Sequence, residues 1–338
     1  MARKGKTFSH EITLAILIGV VSFVISLFSP AFLSFATLFD LVRSSLPLSI
    51  MALGILPVLI AGEIDISFVS VAAMSSFATH MMLLKFNYQG GISLYLIIAS
   101  IIGALAGLVV GIIATSFNLP VFHVSLGLWM FWYGFNLYFL SPTMNFKLPQ
   151  GLVGYYSRYL VTVKDPVVGI TGLHTSVIYL LIITLFIWWL LKYTLLGRAL
   201  YAIGGNREVA IRTGYNVKLT LRVALIIDGV LAAIAGVVQS SYSRFFNPIL
   251  FRGNELLVIA AAVIGGVSIT GGYGSVIGVI LGVFFIQIST RGLIYLGIPA
   301  EYQQFVLGAI LIIFFAISSA ITENDGGRSF LRRLFRRN

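Results

Sequence analysis

Uninterrupted apolar runs of about 20 residues recur along almost the whole of this 338-residue chain, and a helical run of that length spans a bilayer. Hydrophobic residues make up 59% of the chain and charged residues only 10%, against about 25% charged in a soluble domain. In lipid, only helices and closed barrels satisfy the backbone, and these runs do not alternate apolar with polar residues. The sequence therefore predicts an all-α, polytopic membrane helix bundle.

We place about ten membrane spans along the chain. They are expected near 11–29, 44–61, 66–84, 93–114, 121–140, 175–193, 220–240, 256–271, 275–296 and 302–321. An even count puts both termini on one side of the membrane. In this topology that side carries 14 of the 22 Lys and Arg residues, so the positive-inside rule makes both termini cytoplasmic.

This topology divides the chain into two short tails and one membrane domain. Residues 1–10 and the basic residues 323–338 are expected to be cytoplasmic tails, and 11–322 form the membrane domain. Within that domain, 194–219 is expected on the cytoplasmic side and 141–174 on the outer side. The net charge of +11 then reflects topology and does not indicate a nucleic-acid partner.

Small residues indicate close helix packing and a weak internal repeat. Glycines four residues apart lie on one helix face, where backbones approach closely; chance is the alternative. Residues 62–67 (GEIDIS) and 265–270 (GGVSIT) share a glycine, two aliphatic positions and a final hydroxyl residue. Paired glycine-interrupted segments indicate a transport pathway, with a chance match as the alternative. The two glycine ladders are Gly103, Gly107 and Gly111, and Gly274, Gly278 and Gly282.

No motif predicts enzyme chemistry, a metal site or a cofactor on this chain. Gly5-Lys6-Thr7 resembles the end of a P-loop but lacks the first glycine and a preceding strand. Segment 271–278 begins like a dinucleotide fingerprint, but Ile277 stands where the third glycine belongs. The four histidines are scattered and cysteine is absent. We expect a non-enzyme that holds no metal and no nucleotide.

A long polar interruption, residues 194–218, separates two predicted spans. Within it, residues 206–213 have helical character, with Gly204 and Gly205 before them and Gly214 after them. A short helix outside the bilayer suits docking into a groove on a partner protein. An amphipathic connecting loop without a partner fits the same residues, so both interpretations stay open.

Over nearly its whole length the chain resembles one family. Glu208-Val209-Ala210 followed by Gly214 resembles the EAA loop of ABC importer permeases. Residues 197–217 look like the corresponding segment of the ribose, xylose and arabinose permeases, a family that includes autoinducer permeases. Other matching segments, in the right order, are 62–67 (GGIDLS in the family), 123–135, 259–282 and 292–312.

The resemblance implies the permease subunit of an ATP-driven importer in the bacterial inner membrane. Two permease chains, identical or homologous, would form the pathway, and a cytoplasmic ATP-binding subunit, usually tandem in this family, would use the ATP. A periplasmic binding protein would deliver a monosaccharide or similar small polar solute. Coupling to the ATPase carries over to Gly197, Arg198, Gly204, Gly205, Asn206, Glu208, Ala210 and Gly214.

Three departures from the family pattern stand out, and one of them is that the more distant part of the EAA pattern of other importers is not evident after Gly214. Val209 is the second residue of the EAA-type triplet, which adds bulk but keeps the position apolar. Glu63 replaces the usual glycine of GGIDLS, which would allow a sharper turn.

Polar residues in or near the spans are candidates for the pathway or its gate. An ionisable group such as Asp228 is costly inside a span and is functional by default, with a structural hydrogen bond as the alternative. Amides and aromatic faces often hold sugars, which favours Asn136 with its tryptophan neighbours, although tryptophan is also common at membrane interfaces. The candidates are Asp65, Ser67, Trp129, Trp132, Asn136, Asp228, Ser268 and Gln287.

Asp65 has two interpretations, as an N-cap of the third span, shared with Ser67, or as part of a gate. For the whole chain, alternatives to a sugar importer are a nucleoside or autoinducer importer, a proton-coupled transporter using Asp228, and a membrane scaffold that docks a partner through 194–218. A single buried acid provides too few ionisable groups for a proton relay, which counts against the proton-coupled transporter.

Overall fold

The computed structural model describes most of the chain and confirms that it is mostly helical. The described residues are 2–165, 169–299, 301–303, 305, 306, 308, 309 and 312. The predicted span 302–321 falls largely outside them, and the basic tail 323–338 lies wholly outside.

Twelve α-helices follow one another along the described residues, the fifth of them continued by a π-helical turn, Asn136–Leu140. They are α1 (Ala2–Phe28), α2 (Phe35–Ile60), α3 (Phe68–Lys85), α4 (Ile92–Ser116), α5 (Val121–Phe135), α6 (Gln150–Val153), α7 (Val177–Tyr193), α8 (Leu195–Gly205), α9 (Arg207–Arg212), α10 (Val217–Ser243), α11 (Glu255–Ile264) and α12 (Val276–Tyr295). Of these, α1, α2, α3, α4, α10 and α12 are long and apolar enough to cross a membrane. The pair α7 and α8, bent by 69°, makes a seventh span if it is counted as one.

The prediction of an all-α chain is wrong at one place. Strands β1 (Tyr159–Asp165) and β2 (Gly169–His174) pair antiparallel within the segment 141–174. β-branched residues such as Val161 and Val163 favour a strand over a helix, and outside the long spans nothing obliges the backbone to be helical.

The predicted eighth span, 256–271, is also wrong as a continuous helix. Helix α11 has only 10 residues, about 15 Å of helix against a hydrocarbon core of about 30 Å. Gly265 ends the helix, and Gly266 follows with a φ of +88°, a left-handed conformation that glycine adopts without strain. The chain then loops until Val276 begins α12.

Helix α2 forms the centre of the bundle, and 89% of the residues in its most apolar stretch are buried. Helices α3, α10, α11 and α12 pack around it. The contact between α4 and α10 confirms the first glycine ladder, because a Cβ at Gly103 or Gly107 would overlap a backbone carbonyl of α10. The second ladder is confirmed only in part: Gly278 and Gly282 of α12 face the backbone of α11 and its C-cap in the same way, whereas Gly274 precedes α12 and lies against Leu56 and Ile60 of α2.

The bundle has two ends, which we call the α9 end and the hairpin end. The α9 end contains α9 with the starts of α3, α5, α10 and α12. The hairpin end contains β1, β2, α6 and the starts of α2 and α4. Contacts such as Arg222 with Ser116 at the α9 end, and the bridge between Asn145 and Phe246 at the hairpin end, fix this arrangement.

Candidate functional site

A polar cavity with a volume of 520 Å³ opens at the hairpin end, between α2, α10 and α12. We call it the outer cavity. Its lining is mostly polar, although it lies among apolar helices. The lining residues are Asp40, Arg43, Ser44, Leu48, Gln239, Tyr242, Ser243, Leu250, Phe251, Asn254, Gln287, Thr290, Arg291 and Ile294.

Aromatic rings hold the guanidinium of Arg43 at this cavity. Its Cζ lies 3.8 Å from the ring centre of Tyr156 and 5.1 Å from that of Tyr242. Arg244 covers the same Tyr156 ring at 4.2 Å. Cation–π contacts of this kind fix a guanidinium without using its N–H groups, which stay free to donate.

A second guanidinium, that of Arg291, is paired within the cavity. Its Nη1 lies 3.4 Å from Oδ2 of Asp40, and both side chains are partly exposed. This pair neutralises one positive and one negative charge of the lining. A partly exposed pair of this kind contributes little to folding stability.

Two amides complete the polar wall. Gln287 donates through Nε2 to the Ser44 carbonyl at 3.3 Å, and Gln239 donates through Nε2 to Ser243 Oγ at 3.1 Å. In the described part of the chain, neither Oε1 accepts a hydrogen bond, and the side-chain amide of Asn254 makes none. These groups are available to a solute.

A histidine lies behind the wall of the outer cavity. His174 Nε2 donates to the Tyr155 carbonyl at 2.8 Å, and Nδ1 accepts from the Ser176 amide at 3.1 Å and from the Tyr242 hydroxyl at 3.3 Å. Burial lowers the pKa of His174 below its ordinary value, and the positive charge of Arg43 lowers it further, against the opposing hydrogen bond to Tyr155. His174 is therefore neutral at physiological pH.

The predicted cluster of Asn136, Trp129 and Trp132 does not line this cavity. Asn136 is fully buried, and its Nδ2 donates to the Pro248 carbonyl at 2.8 Å. On the same helix, Tyr133 donates to the Leu250 carbonyl at 2.9 Å. These bonds attach the loop between α10 and α11 to α5 and its π-helical continuation. Asn136 and Tyr133 therefore hold the structure together and do not face the outer cavity. Among the described residues, the indole nitrogens of both tryptophans have no partner.

Asp228 lies in the interior of the bundle, facing α2. It is fully buried, and neither carboxylate oxygen has a hydrogen-bond partner within the described residues. A Cβ at Gly54 would come within 2.9 Å of its Oδ1, so the glycine makes room for the acid. The structural hydrogen bond to another helix, the alternative drawn from the sequence, is not formed with any described residue.

Asp65 is buried at the start of α3. Its Oδ1 accepts from the Ser67 amide at 2.6 Å and from the Ser67 hydroxyl at 2.7 Å. The carboxylate thus satisfies an amide at the helix start, while Ser67, expected to share the capping, donates to Asp65 instead. Ser268, in the second copy of the repeat, bonds to the hydroxyl of Thr270 at 2.9 Å.

Both copies of the repeat meet α8 at the α9 end, in what we call the glycine junction: Ile60 with Gly62, Gly204, Gly271 and Gly272. The Gly272 amide donates to the Ile60 carbonyl at 2.8 Å. A Cβ at Gly204 would overlap both partners of this bond, and one at Gly271 would lie 2.7 Å from Gly62 and 2.8 Å from Gly204. Only glycine permits backbones to pack this closely.

Helix α9 follows directly on the junction. Asn206 is its N-cap, with Oδ1 accepting from the Val209 amide at 3.1 Å. Ala210 packs inward and is fully buried, whereas Glu208 is exposed in the first turn and Val209 is 53% exposed. Gly214 follows the helix with a φ of +89°. The short helix therefore presents a mixed apolar and charged surface away from the bundle.

The turn from α7 into α8 carries the two remaining predicted residues. The Thr194 hydroxyl caps α8 by accepting from the Gly197 amide at 3.1 Å. Gly197 is buried against the carbonyls of Leu190 and Leu191, which leave no space for a Cβ. Arg198 is exposed. Of the predicted coupling residues, the structure thus brings Gly204 to the junction, while Gly205 follows it with open space where a Cβ would lie and Gly197 belongs to the preceding turn.

Comparison with known proteins identifies the family. A family model described as the permease component of a branched-chain amino acid transport system matches residues 37–315. The chain belongs to this family. The permease is 31% identical to the autoinducer 2 import system permease of Enterobacter sp. strain 638, over 91% of this chain and 85% of that one.

Two further relatives come from Escherichia coli K12. The galactose/methyl galactoside import permease is 30% identical over 91% of this chain and 92% of its own length. The ribose import permease is 28% identical over 89% and 90% of the two chains. No solved structure matches the chain. The chain is thus an inner-membrane permease component of the ABC importer class, whose members work with ATPase and substrate-binding partners.

Most of the outer cavity is missing from the sequence-based candidates, which include only Gln287 of its lining. One available signal is Arg291, because a charged residue within a predicted span is by default a functional candidate. Arg43 and Gln239 give no such signal, since Arg43 lies just outside a predicted span and Gln239 is neutral.

Proposed function

We propose that this permease forms the pathway of an ATP-driven importer for a monosaccharide or a similar small polar solute. The polar outer cavity is the observation that carries the proposal, because it offers amides and hydroxyls among apolar helices. Relatives named for galactose, ribose and autoinducer 2 import support the same solute class. A nucleoside or autoinducer is the alternative solute.

The proposed assembly contains three kinds of component. Two permease chains, identical or homologous, pair in the inner membrane, and a cytoplasmic, tandem ATP-binding subunit lies beneath them. A periplasmic binding protein supplies the solute. The permease itself binds no cofactor, and the ATP is used by the partner subunit.

In the proposed topology the α9 end is cytoplasmic and the hairpin end is periplasmic, with ten spans and both termini inside. The alternating direction of the long helices α2, α3 and α4 supports this orientation, because α2 and α4 start at the hairpin end and α3 starts at the α9 end. The distribution of basic residues supports it as well, because only eight of the 22 Lys and Arg residues lie outside the predicted cytoplasmic segments. These are Arg43, Lys85, Lys147, Arg158, Lys164, Arg244, Arg252 and Arg291.

Helix α9 is the proposed coupling element. Its exposed Glu208 and Val209 suit a groove on the ATPase, and the glycine junction connects it to both repeats. Motion of the ATPase would then reach the ends of α2 and α12 through backbone contacts. The proposed gate residues at this end are Asp65, Ser67 and Ser268.

Reconstitution tests the proposal. Proteoliposomes with the permease, the ATPase and the binding protein should take up labelled D-ribose or D-galactose only with ATP, and omission of either partner should abolish uptake. Glu208→Ala should leave the permease folded but uncouple ATP hydrolysis from uptake, whereas Lys218→Ala, exposed beyond α9, serves as the matched control. Uptake by the permease alone, driven by a pH gradient and lost in Asp228→Asn, would contradict the proposal.

A further inference from the structure

We propose that the outer cavity is a binding site for a neutral polyhydroxylated solute on its way through the permease. The inference rests on the proposed function and adds to it a specific place and a set of residues. The volume of 520 Å³ lies within the range of about 300–1,000 Å³ typical of small-molecule sites.

The cavity offers both donors and acceptors, as a sugar requires. Arg43 is held by ring faces, so its N–H groups are free to donate to hydroxyl oxygens. The Oε1 atoms of Gln239 and Gln287 are free among the described residues to accept from sugar hydroxyls. Asn254 adds an amide that can donate and accept.

The charges of the lining favour a neutral solute over an anion. Arg291 is already paired with Asp40 at 3.4 Å, and the carboxylate of Asp40 repels negative ligands. Within the described part of the chain, Arg43 is then the one cation of the lining without an acidic partner, against amides and hydroxyls that bind without charge. A site for a phosphate or a carboxylate would be expected to present several converging cations.

The position of the cavity suits a transient site. It lies at the hairpin end, opposite the glycine junction, and α2 runs between them, with Ser44 at the cavity and Ile60 at the junction. A single helix that reaches both places can carry a change at one to the other. Its partial openness to solvent and its few free polar groups predict weak binding, which conduction requires because the solute must leave again.

Single cysteines test the site directly, because the chain contains no cysteine of its own. Asn254→Cys and Gln287→Cys place a thiol in the cavity, and Gln150→Cys places one on the exposed α6 at the same end. Each variant, in the full complex in proteoliposomes, is treated from outside with a charged methanethiosulfonate reagent. Modification of either cavity thiol should remove most of the ATP-driven uptake of labelled D-ribose or D-galactose, while modification of Gln150→Cys should leave uptake unchanged.

A second measurement does not depend on transport. On the purified complex in detergent, D-ribose or D-galactose should slow modification of the cavity thiols and not that of Gln150→Cys. Equal rates with and without these sugars, or stronger protection by D-galacturonate than by D-galactose, would overturn the proposal. Full modification of both cavity thiols with undiminished uptake would also overturn it. Sugar protection of the cavity thiols in the cysteine variants, together with no ATP-driven uptake by the wild-type complex, would support the site and count against the proposed function.

Discussion

Arg207, the first residue of α9, forms an ion pair with Glu63 in the connection between α2 and α3, with Nη1 and Oε1 3.5 Å apart. The other carboxylate oxygen, Oε2, accepts a hydrogen bond from the amide of Val121, the first residue of α5, at 3.2 Å. One carboxylate thus connects the proposed coupling helix to α5. Glu63 replaces a glycine of the GGIDLS pattern that this segment resembles. A glycine at this position has no side chain and could not form the connection.

Removal of the Glu63 charge should lower the free energy of unfolding by a small, measurable amount. Arg207 is 51% exposed, so solvent screens the pair, and a double-mutant cycle of Glu63→Gln with Arg207→Gln should give a coupling energy of about 0.2–1 kcal/mol in thermal unfolding. Glu63→Ala should cost more than Glu63→Gln, because alanine also deprives the Val121 amide of its acceptor.

Arg212, at the other end of α9, gives the matched control for this pair. No ion pair of Arg212 occurs within the described residues, so the cycle of Glu63→Gln with Arg212→Gln should give no coupling energy. The same coupling energy in both cycles would indicate a general charge effect and contradict the specific pair.

Gly204→Ala should destabilise the permease and impair transport. The added methyl group would overlap the Ile60 carbonyl and the Gly272 amide and force apart their hydrogen bond of 2.8 Å. Overpacking of this kind costs about 1–3 kcal/mol. Thermal unfolding and uptake per folded complex measure the two effects.

The next residue supplies the control for that substitution. A Cβ at Gly205 would have no heavy atom within 4 Å, so Gly205→Ala should leave both stability and uptake close to the wild-type values. Equal losses in the two variants would show that flexibility, and not the close approach at Gly204, requires glycine in this segment.

The contact of α4 with α10 gives a third prediction. Gly107→Ala would overlap the Leu225 carbonyl and should lower the free energy of unfolding by about 1–3 kcal/mol. Gly127→Ala, on α5 with no heavy atom within 4 Å of the added Cβ, should be neutral or slightly stabilising. Thermal unfolding in detergent compares the two. A loss for Gly127→Ala as large as that for Gly107→Ala would argue against backbone contact as the cause.

The features predicted well from sequence depend on residues close together in the chain. The four-residue spacing of Gly103 and Gly107 puts both on one helix face, and the helical segment 206–213 appears as α9 with its Asn206 cap. Apolar length located most of the long spans for the same reason, because one window of sequence contains the whole signal.

The features missed depend on tertiary contacts or on weak local signals. Arg43, Gln239 and Gln287 come together only when α2, α10 and α12 pack, and no spacing in the sequence indicates that. The truncation of α11 is similar, since the apolar run continues past Ile264 and only the paired glycines after it stop the helix. The residue type of Asn136 favours a place in the pathway, yet the partner that fixes its side chain, Pro248, lies far away in the chain.

Acidification should destabilise the permease through His174. Its Nδ1 accepts from the Ser176 amide and the Tyr242 hydroxyl, so protonation there would set donor against donor. The pKa of the folded state is lowered from the ordinary value of 6.5, so the unfolded state takes up the proton first. This stability contribution is complete above about pH 6.5 and is lost as the pH falls below it. Thermal unfolding should therefore shift down more for wild type than for His174→Gln between about pH 7.5 and pH 5. Parallel shifts in both proteins would exclude His174 as the cause.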